Sequence, residues 1–466
     1  MTFHKKIFGD WRAHFSLDLT SLAILRIIVA LFFIFDLHNR SIFLIQDYTD
    51  VGSFPRFMLS DDWSSWSFHR LSGGHVFQII LFLLSTLFAL FLLLGKWTFL
   101  SSFISFVLLI SLQHRNPAIR FAFDSYLSGI LFWGMWTPWG KQLSIDSMKN
   151  KYSKISKFGL NIGTLGLYIQ VASVYFFTVL FKNSEIWQNA NTAVEIILSN
   201  DQFRRPWAVY LLQYKSLLSL LSWLTFKIWI LIPVVLIIPF KSNWPRNIVL
   251  ISAMAIHIGI AVLIRMDYYP QLACLSLLPF LHWKGDEVQL VRGKLNLKSF
   301  KNIFLMLIMA LVFIWNFFTL APSPTIIYKT LKNGVTLIGL NHHWGMFAPE
   351  PFRPDGRPIA EALLTSGQTV DLLRKDRIFD FAKKDDIYLQ IASQRRRKNF
   401  NKLWKSEALR ASYSKWLCWR ENQYYNSPDK VVSIKWHYLD EFGQMENPEP
   451  VRRDFETHQC STELAP

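Results

Sequence analysis

The chain has 466 residues, of which 51% are hydrophobic, 16% aromatic and only 18% charged, the last against about 25% in ordinary soluble domains. This excludes a disordered chain or a fibrous repeat and argues against an entirely soluble enzyme. The formal charge of +17 raises nucleic-acid binding, but it is unevenly spread: 28 Lys+Arg and 15 Asp+Glu precede residue 325, and 22 and 18 follow it, so the excess lies in short loops between apolar stretches.

Those stretches are long enough to cross a bilayer, whose hydrocarbon core of about 30 Å needs roughly 17–25 helical residues. In chain order the sequence predicts spans at Thr20–His38, His75–Gly95, Trp97–Gln113, Asp124–Gly140, Phe158–Lys182, Ser216–Phe240, Asn247–Ile264, Tyr268–Trp283 and Asn302–Leu320. Val76–Leu94 carries no charge. Pro138 breaks the fourth span, and the eighth is short. No cleavable signal peptide is expected, because the first apolar segment contains Arg26 and Asp36. The fold class is thus a polytopic α-helical membrane protein of about nine transmembrane helices, residues 1–324. A C-terminal extracytoplasmic α+β domain follows at 325–466.

Orientation follows from the loops. One set holds Lys5, Lys6, Arg12, Lys96, Lys141, Lys149, Lys151, Lys154, Lys157, Lys241, Arg246, Lys284, Arg292, Lys294, Lys298 and Lys301. The other holds Arg40, Arg56, Arg70, Arg115, Arg120, Arg204, Arg205, Lys215 and Arg265 in longer loops. The positive-inside rule puts the first set in the cytoplasm. The N-terminus is then cytoplasmic and the C-terminal domain lies outside, in the periplasm if the source is a Gram-negative bacterium and in the lumen if it is a eukaryote. That domain begins after Pro322 and Pro324. Lys430–Tyr438 alternates like a half-buried strand, Thr369–Leu373 does so more weakly, and Leu403–Asn422 is Trp-rich and helix-compatible. Cys418 and Cys460 both fall in this domain, where oxidation is allowed, and a bridge between them is expected. Cys274 sits in a span as a small apolar residue. Three cysteines without CxxC spacing argue against a cysteine-built zinc site, and no metal is expected.

Ionisable residues inside spans are costly and invite a functional reading. Arg26 and Asp36 lie in the first span, ten residues apart, and are expected to tie neighbouring helices together. Asp124 opens the fourth, after the polar run His114-Arg115-Asn116. Lys182 closes the fifth, and either snorkels to the interface or is desolvated against Phe176, Phe177 and Phe181. In the second case its charged form is disfavoured, and a neutral amine can act as a base. His257, inside the seventh span, is either a hydrogen-bonded core residue or a proton relay. Lys227 either snorkels from the sixth span or marks it as misdrawn. The expected topology puts Arg115, Asn116, Asp124 and Lys182 at outer helix ends and His257 near mid-depth. Lys182, Asp124 and His257 are therefore expected to share one outward-facing cavity. The run Arg395-Arg396-Arg397-Lys398 reads as a solvated or lipid-facing surface, since an external domain meets no nucleic acid. No P-loop, HExxH, GxSxG or dinucleotide fingerprint occurs.

The segment Gln170–Leu198, QVASVYFFTVLFKNSEIWQNANTAVEIIL, resembles the signature stretch of the HTTM (horizontally transferred transmembrane) family, which contains the vitamin K-dependent gamma-carboxylases and many bacterial relatives. Its recurring elements here are Gln170, Tyr175, Phe176, Lys182 and Trp187. Leu25-Arg26-Ile27 with Asp36 resembles the family's opening helix, and His114-Arg115-Asn116-Pro117 with Asp124 its polar crossing. His257 lies in a stretch similar to a family helix, and Trp344–Pro351 resembles a WxMFAPxP segment of bacterial members. The family's sixth helix often carries an acid after its Trp; here Trp223 is followed by Lys227 and Trp229. The resemblance implies a quinol-dependent carboxylase/epoxidase-like enzyme in the bacterial inner membrane. Its cofactor is reduced vitamin K or another membrane quinol, and its substrate a protein or peptide on the outer face. Lys182 is then the base, with Asp124 and His257 as catalytic partners; Gln170, Tyr175, Trp187, Arg115 and Asn116 hold the cofactor. The other reading is a non-catalytic membrane protein that binds lipid or a partner, with Lys182 and Asp124 as a structural pair.

Overall fold

The computed structural model describes residues 10–59, 62–148, 158–282, 298–353, 356–381, 393–440 and 451–460. Lys5, Lys6, Lys149, Lys151, Lys154, Lys157, Lys284, Arg292 and Lys294 of the loop set lie outside them. Among the described residues seven helices are long and apolar enough to cross a membrane. They are α1 (Leu19–Ser41), α2 (His75–Leu94), α3 (Thr98–Arg115), α5 (Ile162–Phe181), α6 (Lys215–Ile237), α7 (Trp244–Leu263) and α9 (Phe300–Leu320). Their outward faces are rows of bare leucine, isoleucine and phenylalanine, with Leu83 and Leu307 each 64% exposed. Faces of this kind need hydrocarbon around them rather than water, and the protein is an integral membrane protein with multi-pass helices.

The two weakest predicted spans have a different form. The fourth is α4 (Ala122–Met135), 14 residues, and the eighth is α8 (Tyr269–Leu275), 7 residues, followed by a 3₁₀ turn at Leu278–Phe280. At 1.5 Å per residue α4 is about 21 Å long, short of the hydrocarbon thickness. Every side chain from Phe123 to Met135 is buried, because α4 packs on α1, α3, α5 and α8. Irregular backbone is tolerated at membrane depth where protein, not lipid, surrounds it. Both segments still run the length of a neighbour. Gln113 Nε2, at the C-terminal end of α3, donates to the Asp124 carbonyl (3.1 Å). At the opposite end Asp146 accepts from the Trp97 and Thr98 amides (3.0 and 2.7 Å). Likewise Asn39 Nδ2 donates to the Tyr268 hydroxyl (3.0 Å), and His282 N donates to Asn247 Oδ1 (3.0 Å) near the start of α7.

Local chemistry sets the element boundaries. At the start of α5, Asn161 Oδ1 accepts from Thr164 N (2.9 Å) and Thr164 Oγ1 accepts from Asn161 N (3.0 Å), a reciprocal N-cap. A Cβ at Gly166 would lie 2.0 Å from the Trp133 ring, so glycine lets α5 approach α4. Arg26 donates from Nη1 to the Leu92 carbonyl (2.6 Å) and from Nη2 to the Leu143 carbonyl (2.5 Å). It thereby caps the end of α2 and ties three segments together, as expected for a structural arginine. Helix α6 is continuous through Lys227, whose side chain lies on its exposed face.

After α9, helix α10 (Ile326–Leu337) packs back on α9, and the core of the helical bundle continues through Val335, Leu340 and Trp344. A second core follows. Strands β1 (Arg357–Leu364), β2 (Thr369–Asp371), β3 (Val431–Asp440) and β4 (Val451–Gln459) form an antiparallel sheet in the order β2-β1-β3-β4, with Ala360 opposite Trp436 and Ala362 opposite Ile434. Helix α12 (Glu407–Trp419) covers it with Tyr413, Trp416 and Leu417, and Trp436 Nε1 donates to Ser414 Oγ (2.7 Å). Helix α11 (Gln394–Leu403) faces the bundle: Lys402 Nζ donates to the Pro117 carbonyl (3.0 Å).

Cys418 and Cys460 are bridged, as expected, and close a separation of 42 residues. In the chain-entropy view such a loop contributes about 4 kcal/mol. Cys418→Ser is expected to lower stability by roughly that amount, seen as a fall in the denaturation midpoint of the detergent-solubilised protein. Asp371, 1% exposed, accepts from the Ala360 and Leu373 amides through Oδ1 (3.1 and 3.0 Å), while burial pushes its carboxyl up to about 6. An acid raised on folding stabilises fully below its unfolded value, near 4, and loses that contribution as pH rises through 6. Asp371→Asn keeps both hydrogen bonds without the charge. Thermal unfolding should show this variant equal to the parent near pH 4 and more stable at pH 7, by up to about 3 kcal/mol.

Candidate functional site

Lys182 is the residue at which α5 stops, its amide still donating to the Val179 carbonyl (3.0 Å). The side chain is 1% exposed. Nζ donates to the Met346 carbonyl (2.5 Å) and lies 4.9 Å from the Trp187 ring centroid and 5.2 Å from that of Trp229. A carbonyl and two indole faces are its surroundings, and among the described residues no carboxylate lines the cavity it enters. That cavity has a volume of about 80 Å³. Tyr175, His257, Tyr269, His343, Trp344, Met346 and Phe347 contribute to its walls. The Tyr175 hydroxyl and His257 Nε2 share a hydrogen bond of 2.7 Å, and His257 Nδ1 has no partner among the described residues. Lys182 is therefore not a snorkelling residue; the end of α5 turns it inward.

The two motifs that carry the family resemblance meet at this cavity. Thr178 Oγ1 donates to the Trp344 carbonyl (3.3 Å), Trp187 Nε1 to that of Phe347 (2.9 Å) and Ser184 Oγ to that of Pro349 (2.9 Å). With Lys182, four side chains on one ten-residue stretch hold the backbone of residues 344–349. Phe347 has φ +55°, a region that non-glycine residues rarely adopt and that persists where surrounding contacts over-determine it.

Asp124 does not line this cavity, which corrects the expectation of a site shared by Lys182, Asp124 and His257, and equally that of a Lys182–Asp124 pair. It belongs to a buried ring of two carboxylates and two guanidiniums. Arg40 Nε donates to Asp36 (2.7 Å), and Arg40 also donates to Asp124. Arg395 donates from Nη2 to Asp36 (2.5 Å) and to Asp124 (3.0 Å), and from Nη1 to Asp124 (2.9 Å). Two positive and two negative charges balance, and Asp124 Oδ2 also accepts from the Phe121 amide (2.9 Å) at the start of α4. The opposite charge nearby is what makes burial of these four groups tolerable. The basic run 395–398 is thus not a solvated or lipid-facing patch. Arg395 enters the ring, Arg396 lies over Phe43 (3.5 Å) and Arg397 over Phe203 (4.0 Å).

The other expected cofactor residues divide. Tyr175 and Trp187 line the cavity; Gln170, Arg115 and Asn116 do not. Arg115 donates to the Phe54 and Thr49 carbonyls (2.8 and 3.2 Å), and Asn116 to that of Asp47 (3.0 Å), so both hold the loop after α1. Gln170 packs where α4 presents Gly129, beside His342. The sequence reading missed Tyr269, His343 and the inward role of Trp229. It also missed Arg40 as an ion-ring member, although its spacing of four from Asp36 on one helix is a recognisable ion-pair signal.

Comparisons with protein-family models, with curated proteins and with solved structures find no match to this chain. The fold and the site define a polytopic helical membrane protein whose bundle encloses an aromatic-walled cavity with a buried lysine.

Proposed function

We propose that this protein is a quinol-dependent membrane enzyme resembling the vitamin K-dependent gamma-carboxylases, with Lys182 as its base. The observation that carries the reading is the amine of Lys182, buried against Trp187 and Trp229 without a carboxylate, in a cavity that also holds the Tyr175–His257 pair. Apolar aromatic walls with one base suit a phenolic ring. The volume, about 80 Å³, is below the roughly 150 Å³ that admits benzene in an engineered cavity. Entry of a ring therefore requires the Met346 and Phe347 side chains to withdraw. Lys182 then releases the Met346 carbonyl and accepts a proton from the phenol, whose pKa near that of Tyr, about 10, is within an amine's reach. Tyr175 and His257 orient the ring or pass the proton on. A reduced naphthoquinol, with O₂, supplies the much stronger base needed to remove a glutamate γ-proton before CO₂ adds.

The same reading takes the chain across the membrane nine times, through seven long helices and the two broken segments, with the N-terminus in the cytoplasm and the C-terminal domain in the periplasm presenting a peptide substrate. A reporter fused after Pro466 is expected to read outside the cytoplasm; a cytoplasmic signal contradicts this orientation. A photoactivatable naphthoquinone should label peptides spanning 178–187 and 344–347. Labelling elsewhere only, or none, removes the quinol site. The non-catalytic reading draws on one observation, the four bonds from residues 178–187 to the 344–349 backbone, in which Lys182 is a strap rather than a base.

A further inference from the structure

A second and larger cavity, about 500 Å³, lies between the helical bundle and the C-terminal domain. Its size falls in the range of ligand sites, about 300–1,000 Å³. Part of its wall is the ion ring, whose members satisfy one another. Three other polar atoms on the wall make no hydrogen bond among the described residues, although Asp47 lies in the field of the Arg396 guanidinium. Asp47 is 5% exposed, and its Oδ1 has no hydrogen-bond partner among the described residues; neither has Arg396 Nη2 or Gln271 Oε1. A buried polar atom without a partner costs free energy, and three on the wall of one cavity point to an occupant there. The set asks for two things at once: a donor, preferably cationic, for the carboxylate and the amide oxygen, and an anionic acceptor for the guanidinium. A purely anionic ligand would suit the guanidiniums of Arg205, Arg396 and Arg420 on the wall, but would leave Asp47 Oδ1 and Gln271 Oε1 without a donor.

The position of the cavity supplies the source. Ile42 and Phe43 lie on its wall at the outer end of α1, and below them α1 turns Phe35 and Leu31 outward, 48% and 37% exposed. An apolar stripe on a membrane-spanning helix thus leads to a polar cavity. We propose that the cavity holds the phosphoethanolamine headgroup of a membrane lipid. Its ammonium donates to Asp47 and Gln271, its phosphate accepts from Arg396, and its acyl chains lie along Leu31, Phe35 and Ile42. A trimethylated choline headgroup has no N–H to donate, and a glycerol headgroup has no cation.

The test uses the full-length protein in detergent, with phosphatidylethanolamine, phosphatidylcholine and phosphatidylglycerol of identical acyl chains, and bound lipid counted by native mass spectrometry. Phosphatidylethanolamine is expected to bind tighter than either of the others by about tenfold or more. Asp47→Asn should abolish that preference, and Arg396→Gln should weaken phosphatidylethanolamine and phosphatidylglycerol alike. Gln271→Leu, with an unchanged unfolding temperature, serves as a second variant should Asp47→Asn misfold, and should also reduce the preference. Equal binding of the three lipids, or an unchanged preference in the folded variants, overturns the proposal. Free O-phosphoethanolamine binding as tightly as the lipid overturns the assignment to a membrane lipid.

Discussion

Replacing Arg395 with alanine is expected to cost roughly 3–5 kcal/mol and to loosen the C-terminal domain from the helices. The variant leaves Asp36 and Asp124, 3% and 0% exposed, to share the single guanidinium of Arg40. An uncompensated buried charge is the expensive outcome of breaking such a cluster, far more so than the worth of any one pair. The loss should appear as a lower denaturation midpoint and as faster proteolysis within the C-terminal domain. Adding Asp124→Asn to the alanine variant restores charge balance and should recover part of the loss, a non-additivity expected of residues in one network. Arg395→Lys should rescue little, because one ammonium cannot reproduce the fork that reaches both carboxylates. A change below about 1 kcal/mol in Arg395→Ala would place the ring among ion pairs of no consequence.

Lys182→Met is the second variant of large effect. It keeps most of the side-chain volume and removes the amine. If Lys182 is a base, quinol-dependent turnover should fall by about 10²–10⁴-fold, the usual contribution of a general base. Stability should fall by only about 1–2 kcal/mol, the cost of leaving the Met346 carbonyl unpaired. If Lys182 is only a strap, the stability loss remains and turnover is unaffected. Trp187→Phe separates the two further. It removes the Nε1 bond to the Phe347 carbonyl while leaving an aromatic face near Nζ, so it should affect the strap more than the base.

The long helices were legible because their signal is local: twenty apolar residues suffice, and Val76–Leu94 lies wholly within α2. The two broken segments were legible only as weak spans, since α4 and α8 are short and shielded by protein on every side. The alternating run Lys430–Tyr438 located β3 to within two residues at its end, because its alternate residues Ile434 and Trp436 face the second core. The site was legible in part. Lys182, Tyr175, Trp187 and His257 do meet, and Trp344–Pro351, which gives the cavity Trp344, Met346 and Phe347, was recognisable as a motif. What it binds was not: it is held through its own backbone carbonyls, and carbonyls carry no sequence signal. Asp124 was read as an outer-end carboxylate facing the lysine. Of its two true partners, Arg40 and Arg395, the second lies 271 residues away in a run that looks like any solvated basic patch. No periodicity connects Asp124 with Arg395; only the packing of α11 against the loop at Pro117 does.

Turnover decides whether Lys182 is a base. The purified protein in lipid nanodiscs would be given reduced vitamin K, bicarbonate and a glutamate-rich peptide, and quinone epoxide and fixed CO₂ would be followed together. Both products are expected from the parent protein and neither from Lys182→Met. No epoxide from any quinol tested, or equal epoxide from Lys182→Met, rules out Lys182 as the base of a quinol-dependent reaction.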